Sequence, residues 1–115
     1  MGFIDSAKKD GKVIAGGGRK GDKGYFINPT IVRDIGEGSK LVDEEQFGPV
    51  MPVIKYSDPA DAVRRANASI YGLGGSIWAK DSDRAWDLAE GMESGSVWVN
   101  TVSYTHLTLP TNREV

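Results

Sequence analysis

The chain has 115 residues, enough for one modest domain with a buried core. Its 14 basic and 16 acidic residues are interspersed and leave a formal charge of -2, so no basic face recommends nucleic acid or an anionic membrane as a partner. Cysteine is absent, which excludes disulfides and thiolate metal sites, removes one common nucleophile and fits a reducing compartment.

The start, Met1-Gly2-Phe3-Ile4-Asp5, lacks the basic and apolar regions of a signal peptide, and no apolar run approaches the roughly 20 residues of a membrane span. The expected compartment is the cytoplasm. Phe3 to Lys9 reads as a helix, with Gly11 placed for a left-handed cap. Lys12-Val13-Ile14-Ala15 reads as a short strand and Tyr25 to Val32 as a longer one, rich in β-branched and aromatic residues; together they predict a β-hairpin. Between them, Gly16-Gly17-Gly18-Arg19-Lys20-Gly21 satisfies the G-x-G-x-x-G pattern. A dinucleotide fingerprint must open a helix whose N-terminus holds the pyrophosphate, whereas here the chain continues as strand toward Pro29. The glycines therefore read as a hairpin loop, with a phosphate cradle as the weaker alternative.

Next comes Asp43-Glu44-Glu45-Gln46-Phe47-Gly48-Pro49-Val50, in which a carboxylate and an aromatic ring stand two residues apart before a Gly-Pro stop. In extended backbone Glu45 and Phe47 share one face, because side chains alternate. A carboxylate has two oxygens with about four lone-pair positions, which suits a vicinal diol, and a Phe ring supplies a flat apolar wall. The competing interpretation is an acidic helix end, a core Phe and a Gly-Pro turn.

From Pro49 onward strand and helix alternate. Val50 to Tyr56 is an apolar strand, with Pro52 indicating an edge or an irregular start. Asp58-Pro59 opens a helix, with Asp61 in its first turn and Ala62, Val63 and Ala66 on a face fit to pack on a sheet. Gly75 to Ala79 is a second strand. Asp81 or Ser82 caps a second helix carrying the stripe Ala85, Leu88, Ala89 and Met92, which Gly95 ends before the strand Ser96-Val97-Trp98-Val99. The expected class is α/β: a strand-helix-strand-helix-strand portion of parallel sheet, preceded by the hairpin. Ligands of such sheets gather near the strands' carboxyl ends. Trp78 and Trp98 read as core or sheet-face residues, and Asn67-Ala68-Ser69 as a chance glycosylation sequon.

Five blocks carry a family resemblance in order and spacing: Gly24-Tyr25-Phe26-Ile27-Asn28-Pro29-Thr30-Ile31, the Glu45-Phe47 loop, Arg65-Ala66-Asn67, Tyr71-Gly72-Leu73, and Ser94-Gly95-Ser96-Val97-Trp98-Val99-Asn100. Through them the chain resembles the aldehyde dehydrogenase superfamily from its start to about Thr101, as a C-terminal part of the catalytic domain. The resemblance implies an oxidoreductase that converts an aldehyde to a carboxylic acid with NAD or NADP. A cysteine thiolate attacks the aldehyde, hydride leaves to the cofactor, and water activated by a glutamate releases the thioester. By resemblance Glu45 binds the nicotinamide ribose hydroxyls and Phe47 limits where the nicotinamide sits. The nucleophile is missing from this chain, so the fragment alone is expected to be inactive. The family also implies a small-molecule aldehyde as partner and a homo-oligomer, with no nucleic acid or membrane. Residues 102–115 depart from the family's Pro-Phe-Gly-Gly and Lys-x-Ser-Gly continuation and read as an atypical tail, which makes His106 an improbable acid or base. A free-standing nucleotide-binding module and a non-catalytic assembly domain are the alternatives.

Overall fold

The computed structural model describes residues 1–101; the proposed tail boundary and His106 lie outside them. The chain divides into two compact units, the first spanning Met1–Lys55 and the second starting at Tyr56.

In the first unit, α1 (Gly2–Asp10) precedes β1 (Lys12–Ala15), β2 (Thr30–Arg33), the short α2 (Lys40–Asp43) and β3 (Val50–Val53). The sheet order is β1-β2-β3, with β1 antiparallel and β3 parallel to β2. The expected hairpin is therefore present, and β3 lies at the end of this three-stranded order, where Pro52 has no ladder donor to lose. One core joins the helices to one sheet face: Ile4 and Ala7 of α1, Val32 of β2, Leu41 of α2, Val50 of β3, and Ile35. Helical spacing puts Ile4 and Ala7 on one stripe, and the sheet's two-residue period sends Val32 and Val50 to the same side as each other's partners.

Two local expectations are corrected here. Gly11 is extended at φ -151, so it is no left-handed cap; a Cβ there would lie 2.8 Å from the Arg33 carbonyl oxygen, and the glycine is required by close packing. The strand expected over Tyr25 to Val32 is confined to Thr30–Arg33. Gly24 takes φ +79, Pro29 has no N–H, and Tyr25 and Phe26 point into solvent, leaving an isolated bridge between Ile27 and Arg19.

The glycine run is a packing device. Gly16 and Gly17 have φ of +70 and +94, and a Cβ on Gly16 would approach the Pro29 carbonyl oxygen to 2.1 Å. Gly17 N–H donates to Thr30 Oγ1 at 2.9 Å, and that hydroxyl donates in turn to the Asn28 carbonyl at 2.8 Å. No helix follows the run, and the Gly17 amide that a phosphate would need is already engaged.

In the second unit, α3 (Pro59–Asn67), β4 (Gly74–Ile77), α4 (Ser82–Glu90) and β5 (Ser96–Val99) follow in order, with β4 and β5 parallel. The expected α/β alternation and parallel pairing hold; the parallel pairs are distributed over two sheets, because β3 joins β2 and β4 joins β5. Asp58 caps α3 by accepting from the Ala60 N–H, and Asp81 caps α4 by accepting from the Arg84 N–H. Ala85 and Ala89 of the α4 stripe are buried, but α4 ends at Glu90 with Gly91 as its C-cap, and Gly95 lies four residues beyond that cap in the turn into β5. The α3 face does not pack on a sheet: no α3 residue is fully buried, Ala66 is exposed, and α3 adjoins α4. Asn67 joins them, its Nδ2 donating to the Gly91 carbonyl and its Oδ1 accepting from the Glu93 N–H. Trp98 is half-buried over Gly74, where a Cβ would meet its ring at 2.6 Å, whereas Trp78 is exposed and is not a core residue.

Replacing Thr30 by Val keeps the shape of a fully buried side chain but leaves the Gly17 N–H without its acceptor. The expected loss is about 1–3 kcal/mol, the usual cost of an unsatisfied buried polar group. A lower urea midpoint at unchanged m-value checks it; an unchanged midpoint refutes the role given to the hydroxyl.

Candidate functional site

The loop that carries Glu45 and Phe47 runs between two buried anchors, Leu41 in α2 and Val50 at the start of β3. Ser39 begins α2 in extended backbone, and Glu44 ends it at φ -112, ψ 138, so the chain leaves a single helical turn directly into an extended segment. Asp43 Oδ2 turns back to accept from the Gly38 N–H at 2.9 Å, which fixes the helix against the loop before it. At the far end, the Thr30 N–H donates to the Pro49 carbonyl at 2.7 Å, tying the loop to the first residue of β2.

Between these anchors Gln46 is flanked on both sides by exposed residues. Glu45 and Phe47 are exposed, and Gln46 between them is half-buried. Gln46 uses both ends of its amide: Oε1 accepts from the Gly48 N–H at 3.0 Å, and Nε2 donates to the Val50 carbonyl at 2.6 Å. Val50 N–H also donates to the Gly48 carbonyl at 2.8 Å, closing a tight turn around Pro49. Phe47 is 94% exposed, so it is not part of the core of this chain.

The loop enters β3 at that strand's amino end, since Val50 is the first β3 residue and is paired with Thr30, the first of β2. It thus departs from the carboxyl-end rule that governs open parallel sheets. Sequence reasoning passed over Gln46. The signal available was an amide, a neutral side chain whose donor and acceptor sit on separate atoms and can bridge two backbone groups, two residues before a glycine whose N–H has no side chain to shield it.

A different cluster occupies the carboxyl ends of β4 and β5. Asn100, with φ +55, has its N–H donating to the Ile77 carbonyl, its Oδ1 accepting from Ala79 N–H at 2.9 Å, and its Nδ2 donating to Ser82 Oγ at 3.3 Å. Asn67 and Asn100, both within the resembling sequence blocks, therefore have their amides employed in holding turns. Among the described residues, no group of three or more His, Cys, Asp or Glu side chains could hold a metal ion.

Comparison with known proteins gives a consistent result. A model of the aldehyde dehydrogenase family matches residues 1–111. The mitochondrial aldehyde dehydrogenase of Equus caballus is 43% identical over 101 residues, covering 87% of this chain and 20% of that protein. An aldehyde dehydrogenase of Davidiella tassiana is 41% identical over 111 residues, covering 96% of this chain and 22% of its own length. The structure of an NAD+ complex of aldehyde dehydrogenase from Bacillus cereus superposes with a TM-score of 0.85 at 33% identity, over 96% of this chain and 23% of that one. The chain thus spans about a fifth of the length of the relatives it matches.

Because Phe47 rests almost wholly in solvent, Phe47→Ala should shift unfolding free energy by no more than about 0.5 kcal/mol. Chemical denaturation checks this, and a larger loss would mean that the ring packs on the fold.

Proposed function

The chain belongs to the aldehyde dehydrogenase family, and from that premise we propose that it is part of an enzyme that oxidises an aldehyde to a carboxylic acid with NAD or NADP. Within that enzyme its contribution is the loop at Glu45 and Phe47, which positions the nicotinamide end of the cofactor. The observation that carries this reading is the exposure of both side chains on a loop braced from inside by Gln46 and anchored by Leu41 and Val50. The donor set fits the group in kind. A carboxylate accepts hydrogen bonds from the two hydroxyls of a ribose, and an aromatic ring bounds the space open to a flat heterocycle.

When bound, the cofactor accepts hydride from the substrate. This chain's residues bind and orient: Glu45 fixes the ribose, and Phe47 restricts the swing of the attached ring. Orientation is a kinetic matter, since reacting atoms must be held near contact distance and a misplacement of about 1 Å can cost roughly a hundredfold in rate. The nucleophile comes from elsewhere in the enzyme, as this chain has no cysteine. We further read the enzyme as a cytoplasmic homo-oligomer acting on a small-molecule aldehyde, without nucleic acid or membrane partners. Among the described residues, no helix is long and apolar enough to cross a membrane. Light scattering on the full-length protein tests the oligomer.

In a full-length enzyme containing this segment, Glu45→Gln keeps the size of the side chain and removes its charge. The expected result is a fall in hydride-transfer rate of about tenfold to a hundredfold with little change in stability. If cofactor affinity and turnover both stay parental, the ribose assignment is wrong. The isolated 115-residue chain, mixed with aldehyde and NAD or NADP, is expected to form no reduced cofactor; measurable aldehyde-dependent absorbance at the reduced nicotinamide band would overturn that.

A further inference from the structure

Gln46 separates the two residues assigned to the cofactor, yet it faces the other way. Its amide spans the turn that follows, with Oε1 held by the Gly48 N–H and Nε2 by the Val50 carbonyl. Val50 is buried and paired within the sheet, so the second of these bonds fastens the loop to the rigid part of the unit. The first fixes the glycine directly after Phe47, the position at which the chain has most conformational freedom.

We propose that Gln46 is a positioning residue for hydride transfer: its two-ended amide clasp sets the backbone from which Glu45 and Phe47 project, and so sets where the nicotinamide is held. The proposal rests on the reading of Glu45 and Phe47 given above. Its physical basis is that the exposed Phe47 ring has no packing in this chain to fix its direction, so that direction comes from the backbone. Here the backbone between Gln46 and Val50 has three short hydrogen bonds in five residues, two of them from one side chain. Removing that side chain's polar atoms leaves the Val50-to-Gly48 turn bond and the Thr30-to-Pro49 bond, neither of which reaches the residues before Gly48.

The test uses a full-length aldehyde dehydrogenase containing this segment and three variants, Gln46→Met, Gln46→Glu and Glu45→Gln. Methionine matches glutamine in length and has neither the donor nor a strong acceptor. Glutamate keeps the acceptor for Gly48 but sets an anion against the Val50 carbonyl. Four quantities are read: amide hydrogen exchange across 46–50 without cofactor, thermal midpoint, Michaelis constants for aldehyde and cofactor, and the primary isotope effect on kcat with a 1-deuterated aldehyde. Both Gln46 variants are expected to exchange faster at Gly48 and Val50. They should also lower kcat by about tenfold or more and raise the isotope effect as Glu45→Gln does, with aldehyde KM and thermal midpoint near parental values. Slow hydride transfer in Glu45→Gln but parental kcat and isotope effect in both Gln46 variants overturns the clasp and leaves the ribose assignment standing. Parental behaviour of Glu45→Gln defeats that assignment and the clasp's purpose with it. A lost thermal midpoint in both Gln46 variants, with the aldehyde KM raised alongside, marks Gln46 as a general structural residue and also overturns the proposal.

Discussion

Thr30 is the constraint on which the first unit depends. It is buried, and three of its atoms or bonds are committed in different directions: its N–H to the Pro49 carbonyl, its Oγ1 as acceptor from Gly17, and the same hydroxyl as donor to the Asn28 carbonyl. It also sets the register, opening β2 opposite Val50 at the start of β3. A single residue thus holds the glycine loop through its hydroxyl on one side of β2 and the candidate loop through its backbone N–H on the other. This explains two of the three consecutive glycines despite their conformational cost, since Gly16 must approach Pro29 more closely than any Cβ allows and Gly17 must present its amide to the hydroxyl.

Local signals carried much of the fold. Asp58-Pro59 and Asp81 are N-caps with side-chain bonds where the sequence placed them, because capping is settled within three or four residues. Strands Lys12–Ala15 and Ser96–Val99 are found at their expected bounds for the same reason. What failed was non-local. Gly11 reads as a cap until Arg33 and Ile35, more than twenty residues away, are seen to press against it. Tyr25 and Phe26 have strand propensity but no partner strand beyond the one bridge, and propensity for strands expresses packing against neighbours more than any property of the residue alone. The choice of β2 over β4 as the partner of β3 is likewise invisible to an order of strands and helices.

The candidate site shows the same division. Glu45 and Phe47 were singled out through the resembling motif and the two-residue period of extended backbone. Gln46 was not, although it does the mechanical part. Its role depends on where Gly48 N–H and Val50 carbonyl come to lie, and that follows from Pro49 turning the chain and from Val50 entering the sheet beside Thr30. A polar residue between two conspicuous ones is read as filler unless the turn geometry is known.

The exposure of Phe47 in this chain agrees with the binding role proposed for the loop. A side chain 94% exposed contributes almost none of the roughly 25 cal/mol per Å² that burial supplies, so the fold gains nothing measurable from an aromatic ring at that position. Single exposed apolar residues are common and need no cause. This one differs in its support: its backbone is pinned by Gln46 immediately before and Gly48 immediately after, and the loop ends in two buried anchors. Fixing backbone costs conformational entropy of about 1–2 kcal/mol per residue, and the hydrogen bonds that offset it hold in place a ring the core does not use. A rigid support beneath an uncovered ring fits the binding role proposed for the loop, in which the direction of the ring bears on whether the bound molecule reacts.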